Sequence, residues 1–252
     1  MPGTLYLVPN LLSAPDAFTP ELLAATVPAG VQGIASGLDY FIAENAKTTR
    51  AFLKTLNETA PLAQPLQQIR IAELNIKTDA ATLPALLEPL EKGSDAGLIS
   101  EAGVPAIADP GADLVRLAHQ RGIAVKPLVG PSSILLTAMA SGLNGQSFAF
   151  NGYLPIDAQQ RSSRIKMLEQ RSRQEKQTQL FIETPYRNGA LLEALLAACQ
   201  PQTLLCIAID LTLATESIRT LSVRQWKAEL AAGRQPDFHK KPAVFAFLAA
   251  DK

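Results

Sequence analysis

Short apolar runs alternate with stretches of helical spacing along the whole chain, and that alternation admits few architectures. Residues 4–8, 40–43, 69–72, 97–100 and 124–129 read as strands, each a brief apolar run between turn residues. Helices are expected between them at 20–26, 48–57, 82–92, 112–121 and 132–141. In the fourth, Leu114, Leu117 and Ala118 form an apolar stripe and Gly122 supplies the stop. Strand and helix in strict turn is the pattern of an α/β domain with a largely parallel sheet. With 47% hydrophobic residues in 252, the chain can bury a sizeable core.

A second α/β unit begins near Ser147. Strands are expected at 148–151, 179–183, 204–209, 217–221 and 242–248, with helices at 161–174, 188–199 and 223–232. The turn-rich Ser141-Gly142-Leu143-Asn144-Gly145-Gln146 marks the boundary, giving domains 1–144 and 145–252.

Several classes are excluded or disfavoured. Formal net charge is zero, which argues against a protein held on nucleic acid by bulk charge. Residues 127–156 carry no charge, but Gly130, Pro131, Gly142, Asn144, Gly145 and Gly152 break them, so no membrane span is expected. Cys199 and Cys206 lie in apolar contexts and read as buried free thiols of a reducing cytoplasm. No signal segment is expected at Met1-Pro2-Gly3-Thr4. There is no P-loop and no metal-ligand spacing, so no metal is expected. The turn after the first strand reads Val8-Pro9-Asn10-Leu11, without the glycines of a dinucleotide fingerprint. His119 and His239 read as surface histidines.

Chemistry in an open α/β sheet gathers beyond the carboxyl ends of the strands. Three loops fall there. Glu101-Ala102-Gly103-Val104-Pro105 combines a conformationally free glycine with a stiffening proline, and can present backbone groups to a ligand. An ordinary strand-to-helix connection explains it equally well. Asp109 and Asp113 suit the start of the following helix. Gly130-Pro131-Ser132-Ser133 offers a capping serine or an anion-binding helix start. Glu183-Thr184-Pro185-Tyr186-Arg187 puts an acid, an aromatic and an arginine together. The helix near 161–176 carries Arg161, Arg164, Lys166, Arg171, Arg173 and Lys176 against Glu169 and Glu175, as either a solvated face or a phosphate-contacting one.

In this order the loops resemble the tetrapyrrole methylase superfamily, and within it the branch of the ribosomal RNA small subunit methyltransferase I. That branch has a serine-aspartate-alanine-glycine-threonine-proline loop ending in aspartate-proline-glycine; this chain has Ser100-Glu101-Ala102-Gly103-Val104-Pro105, then Asp109-Pro110-Gly111. Gly130-Pro131-Ser132, Asn151-Gly152-Tyr153-Leu154-Pro155 and Glu183-Thr184-Pro185-Tyr186-Arg187 resemble further motifs of the branch. The resemblance implies two α/β domains with a cleft for S-adenosylmethionine between them, and a homodimer. It implies that Glu101, Gly103, Val104, Pro105, Ser132, Ser133, Tyr186, Asp210, Leu211 and Ala243 bind the cofactor.

The chain departs from the branch at polar positions. Ala43-Glu44-Asn45-Ala46-Lys47 replaces an alanine-glutamate-aspartate-threonine-arginine segment, and Asp210-Leu211-Thr212-Leu213 lacks the basic residues of its counterpart. Ala72-Glu73-Leu74-Asn75 has no histidine where the branch carries one. By resemblance the reaction is methyl transfer to ribosomal RNA, at a ribose 2'-hydroxyl, with Glu44, Lys47 or Glu183 as candidate base. The alternatives are a methyltransferase for a tetrapyrrole or other small molecule, and a cofactor-binding protein without catalysis.

Overall fold

A computed structural model describes residues 1–250. The chain forms two compact units, Met1–Ser132 and the residues from Ser133 onward.

The first unit is built on five strands: β1 (Thr4–Val8), β2 (Tyr40–Ala43), β3 (Arg70–Glu73), β4 (Ala96–Ile99) and β5 (Ala124–Pro127). Their order is β3-β2-β4-β1-β5, and every pairing is parallel. Side chains alternate in period two. Phe41, Ala43, Val8 and Ile99 face one core, and Tyr40, Ile42, Leu5 and Leu98 face the other.

The helices distribute between these faces according to the crossovers. α1 (Pro20–Thr26), α2 (Ala29–Ser36) and α3 (Ala46–Thr59) bury Leu23, Val31, Ala35, Phe52 and Leu56 on the first face. α4 (Leu83–Glu91) and α5 (Ala112–Gln120) bury Leu87, Leu90, Leu114 and Ala118 on the second. Right-handed crossovers require this, because the chain moves outward through β2 and β3 and then returns to β4 and β5. The loops leaving β1 and β2 therefore turn to one face, and the loop leaving β4, which lies between them, turns to the other. That reversal opens a crevice at the carboxyl ends of the central strands.

The second unit holds β6 (Phe148–Tyr153), β7 (Thr178–Glu183), β8 (Leu204–Ile209), β9 (Ser217–Ser222) and β10 (Ala243–Leu248), in the order β6-β7-β10-β8-β9. β6 and β7 are parallel, while β10 runs antiparallel to both neighbours and β9 antiparallel to β8. α7 (Ala158–Glu175), α8 (Asn188–Ala198) and α9 (Val223–Ala231) pack Ile165, Leu168, Leu195 and Trp226 against Phe181, Ile207, Phe245 and Phe247. α6 (Ser133–Ala140) sets Ile134 against Leu180, Cys206, Val244 and Ala246 on the opposite face of the same sheet.

Two features differ from the sequence reading. α2 forms in a segment assigned no element; Pro28 precedes it, and Val31 and Ala35 supply its buried face. The division between units falls at Ser132/Ser133, not at 144/145, because α6 packs on the second sheet. Its uncharged sequence is apolar on all sides, so its periodicity carries no information about which sheet it covers. Cys199 and Cys206 are buried free thiols, and burial pushes both pKa values up. Among the described residues no helix is long and apolar enough to cross a membrane, and no acidic, histidine or cysteine cluster is fit to hold a metal.

Candidate functional site

The crevice of the first unit is closed by polar loops that bind one another. Asn10 follows β1 and is fully buried. Its backbone exchanges two hydrogen bonds with Gly103, Asn10 N to Gly103 O at 2.8 Å and Gly103 N to Asn10 O at 3.2 Å. Its side-chain amide donates to the carbonyls of Ser100 and Glu101, each at 3.0 Å. One asparagine thus fixes the 100–103 loop to the end of β1. Each such buried bond is worth about 1 kcal/mol net and more to leave unmade.

The loop's shape depends on unusual backbone. Gly103 has φ +70°, and a Cβ there would lie 3.3 Å from Leu12 Cδ2 and 3.6 Å from Pro131 O, so the 130–131 turn rests against it. Ala106 and Ala108 hold φ values of 64° and 67°, the left-handed region that alanine avoids. The chain leaves the loop at Gly111, φ +133°, where a Cβ would come within 2.9 Å of Leu98. Asp109 sits between these points and is delivered by them; the expectation that it serves the helix start is corrected. Gly111 is the N-cap of α5, and it is Asp113 that lies in the first turn, paired with Arg116.

Beside β2, Glu44 Oε2 accepts from Glu101 N at 3.0 Å. Asn45 caps α3, its Oδ1 accepting from Lys47 N and Thr48 N, while its Nδ2 donates to Glu101 Oε1 at 2.7 Å. An aspartate could cap equally well but would set a second negative charge against Glu101. Two departures from the resembled branch, Asn45 and Glu101, therefore meet in one hydrogen bond. Glu73, at the end of β3, accepts from Ala46 N at 3.3 Å. Lys47 lies exposed in the first turn of α3.

The electrostatics follow from this packing. Burial raises the pKa of Glu44, the bond from the Glu101 amide lowers it, and the Glu101 charge raises it. Burial, then the charge of Glu44, pushes Asp109 up to about 7; the Ser100 hydroxyl opposes the shift and Glu101 adds to it. Ser100 is 2% exposed, and its hydroxyl has no well-formed hydrogen bond.

The second unit also ends its strands in acids, differently dressed. Ala243 is in register with both Glu183 and Ile209, so the ends of β7 and β8 flank the start of β10. Glu183 has a side chain 1% exposed; its Oε2 lies 2.7 Å from Arg187, and its Oε1 accepts from Thr184 N. Asp210, φ 50°, accepts from Thr215 Oγ1 at 2.8 Å and faces Lys241 at 3.5 Å, which also pairs with Asp237 at 2.9 Å. Leu211 is buried and Tyr186 exposed. A pocket of about 200 Å³ opens beside Lys241 and Arg219, but both cations are already paired, Arg219 with Glu229.

Of the expected site residues, the structure brings together Glu44, Glu101 and Gly103, with Val104 and Pro105 in the same loop and Ser132 following the turn that touches Gly103. Ser133 opens α6 in the second unit, with Tyr186, Asp210, Leu211 and Ala243. Asn10, Ser100 and Asp109 were missed as site residues. For Asn10 the signal was its place two residues beyond β1, past the carboxyl end of a central strand.

No family model matches this chain. It is 36% identical over 153 residues to the ribosomal RNA small subunit methyltransferase I of Mesorhizobium japonicum, a match covering 61% of this chain and about half (51%) of that protein. It is 29% identical over 246 residues to the protein of the same name from Escherichia coli O157:H7, covering 98% of this chain and 77% of that one. Among solved structures, the methyltransferase CobJ superposes with a TM-score of 0.58 at 16% identity, covering 98% of this chain and 95% of that one. The uroporphyrin-III-C-methyltransferase of Thermus thermophilus gives 0.52 at 16% identity, covering 98% and 94%. These likenesses establish the two-domain α/β fold.

Proposed function

We propose, from the premise that this chain is a divergent relative of the ribosomal RNA small subunit methyltransferase I proteins, that it is an S-adenosylmethionine-dependent methyltransferase acting on ribosomal RNA. The observation that carries the reading is the joined loop system of the first unit. Loops following β1, β2 and β4 are bonded into one polar wall at the reversal point of a parallel sheet. The residues fit the cofactor: the loop offers backbone groups at a glycine, a buried serine hydroxyl and carboxylates without paired cations, all suited to a positively charged ligand.

S-adenosylmethionine supplies an electrophilic methyl group when bound. The chain's part is to bind, orient and deprotonate. Asn10 holds the 100–103 loop in place, and Gly103 lets its backbone approach closely. Orientation of this kind can supply much of the acceleration of a transfer reaction. Glu44, half-buried and with a raised pKa, is the candidate base for a ribose hydroxyl, because a raised pKa makes a carboxylate more basic. Lys47 stands at the rim. Glu183 is committed to Arg187 and serves position more than proton transfer. By resemblance Tyr186, Asp210, Leu211 and Ala243 add the second unit's contribution, and the protein acts as a cytoplasmic homodimer.

RNA contact would fall to α7. Lys166 and Arg171 are exposed there, Arg171 paired with Glu175 at 3.2 Å, while Arg161 donates to Ile156 O, Arg164 to Asn151 Oδ1 and Arg173 to Ala250 O. Replacing Lys166 and Arg171 with glutamine should weaken RNA binding and flatten its salt dependence, leaving cofactor affinity unchanged. The deciding assay offers labelled cofactor with small ribosomal subunits, free RNA and tetrapyrroles. Transfer to the subunit or to RNA supports the proposal. Transfer to tetrapyrroles alone makes it a small-molecule enzyme, and binding without transfer a non-catalytic protein. Light scattering at about twice 26.9 kDa would support the dimer.

A further inference from the structure

We infer that the exposed side of α3 and the pocket at its end form a nucleotide subsite of the first unit, with Lys47, Arg50 and Lys54 on the phosphates of one RNA strand and a base lodged beside Asn57 and Gln64. The inference rests on the RNA reading above and adds to α7 a second contact, one that meets a base as well as the backbone.

α3 divides its two sides by charge as well as by hydropathy. It buries Thr49, Phe52, Leu53 and Leu56. Lys47, Arg50 and Lys54 are exposed at spacings of three and four residues, which sets them in one line along a different side of the helix. Glu58 on α3, and Asp16, Glu21 and Glu73 on segments packed against it, are the acids nearest in the fold. None of them pairs with the three cations, which have no ion-pair partner among the described residues. Arg219 and Lys241 beside the pocket of the second unit, by contrast, are both paired. A line of cations that the fold does not neutralise is left to meet a polyanion.

The line begins beside the joined loops. Asn45 caps α3 and holds Glu101, and Lys47 follows it by two residues. It ends at a pocket of about 320 Å³ lined by Lys54, Asn57, Leu62, Gln64, Pro65 and Leu66. From Lys47 to Lys54 the helix rises about 10 Å, which a stacked strand covers in about three nucleotides.

The pocket has what a base needs. Leu62, Pro65 and Leu66 give an apolar bed for its face. Asn57 Oδ1 is taken by Leu62 N at 3.0 Å, which leaves the side-chain amide hydrogens to donate. Gln64 Nε2 reaches Gln68 O at 3.5 Å, which leaves the side-chain carbonyl to accept. A donor and an acceptor over an apolar bed suit the edge of a base splayed out of a single strand. An acidic peptide would meet the cations but offers no planar, edge-bonding group for the pocket.

The test is filter binding of small-subunit ribosomal RNA to the full chain across a range of salt. Arg50→Gln with Lys54→Gln should lower affinity by roughly tenfold to thirtyfold at about 0.1 M salt. It should also flatten the slope of log affinity against log salt by about 1.4, the counterion release of two contacts to a single strand. Arg50→Lys with Lys54→Arg keeps both charges and should keep most of the affinity. Gln64→Ala should weaken binding by about fivefold with no change in slope. In methyl transfer the glutamine variant should raise KM for RNA and leave kcat and the affinity for S-adenosylmethionine unchanged. Ultraviolet crosslinking should join a base to residues 62–66.

Unchanged affinity and slope in the glutamine variant overturn the inference while leaving the RNA reading intact, as do crosslinks confined to the second unit. Poly-glutamate that competes as well as RNA also overturns it, since the surface would then select charge alone. A wild type that binds no RNA overturns the RNA reading and this inference with it. If the glutamine variant folds poorly, crosslinking of the wild type decides.

Discussion

The strand ends of the two units carry the same kind of residue in opposite circumstances. In the C-terminal unit Glu183 is closed by Arg187 and Asp210 by Lys241 and Thr215. In the N-terminal unit Glu44 and Glu101 are held by amides, and Asp109 faces like charges. In the first arrangement each strand-end acid has a cation against it, and the pairing serves the fold. The second leaves negative charge to be met by something else. An acid at a strand end is thus no site by itself; what distinguishes the two is whether the fold brings a cation against it.

Breaking the paired side should have the largest effect. Arg187→Ala leaves a carboxylate with a side chain 1% exposed without its cation, and should destabilise the protein by about 3–5 kcal/mol in urea denaturation. A loss under about 1 kcal/mol would put Glu183 in the same class as Glu44 and dissolve the contrast. Next comes the brace of the unpaired side. Asn10→Ala removes two buried donors to the 100–101 carbonyls and should cost about 2–3 kcal/mol. Amide exchange at Glu101 to Gly103 should quicken well beyond that in the second unit.

The third prediction concerns pH. Asp109 has a folded pKa of about 7, above the usual 3.8, so the folded state holds a proton that the unfolded chain has lost. Stability should therefore fall as pH rises from about 4 to about 7, and lie lowest above that window. Asp109→Asn should flatten this slope, with no effect at pH 4. Allowing for solvent screening of a half-exposed group, the gain at pH 8 is about 1–2 kcal/mol. A slope that survives the substitution would assign it to another group. Smallest is Ala108→Gly. Relief of left-handed strain at φ 67° outweighs the added chain entropy by about 0.5 kcal/mol, readable as a small rise in Tm.

Much of the fold was legible because period and length suffice for strands and helices that face one core. β1, β2, α1 and β8 fall at the expected bounds. α6 was legible as a helix but not as a member of either unit, since an element apolar on all sides has no face to read. At the site, Arg187 stands four residues after Glu183, so proximity in sequence betrays the pair. Lys241 meets Asp210 across two strands, and Asp109 meets Glu44 only because β2 and β4 are neighbours in the sheet. Such contacts belong to topology. The value of Asn10 was hidden for the same reason: its partners lie 90 and 91 residues away.

The hydrogen bond between Asn45 and Glu101 has a consequence for descent. In the resembled branch both positions carry aspartate, whose side chain at 101 is one methylene shorter than glutamate. Lengthening the acid at 101 first would have driven it toward another acid at 45; changing 45 to asparagine first leaves the α3 cap whole and creates a waiting donor. The two substitutions therefore have a preferred order. Asn45→Asp alone would keep the α3 cap but set a carboxylate against Glu101, and should loosen the join between α3 and the loop after β4.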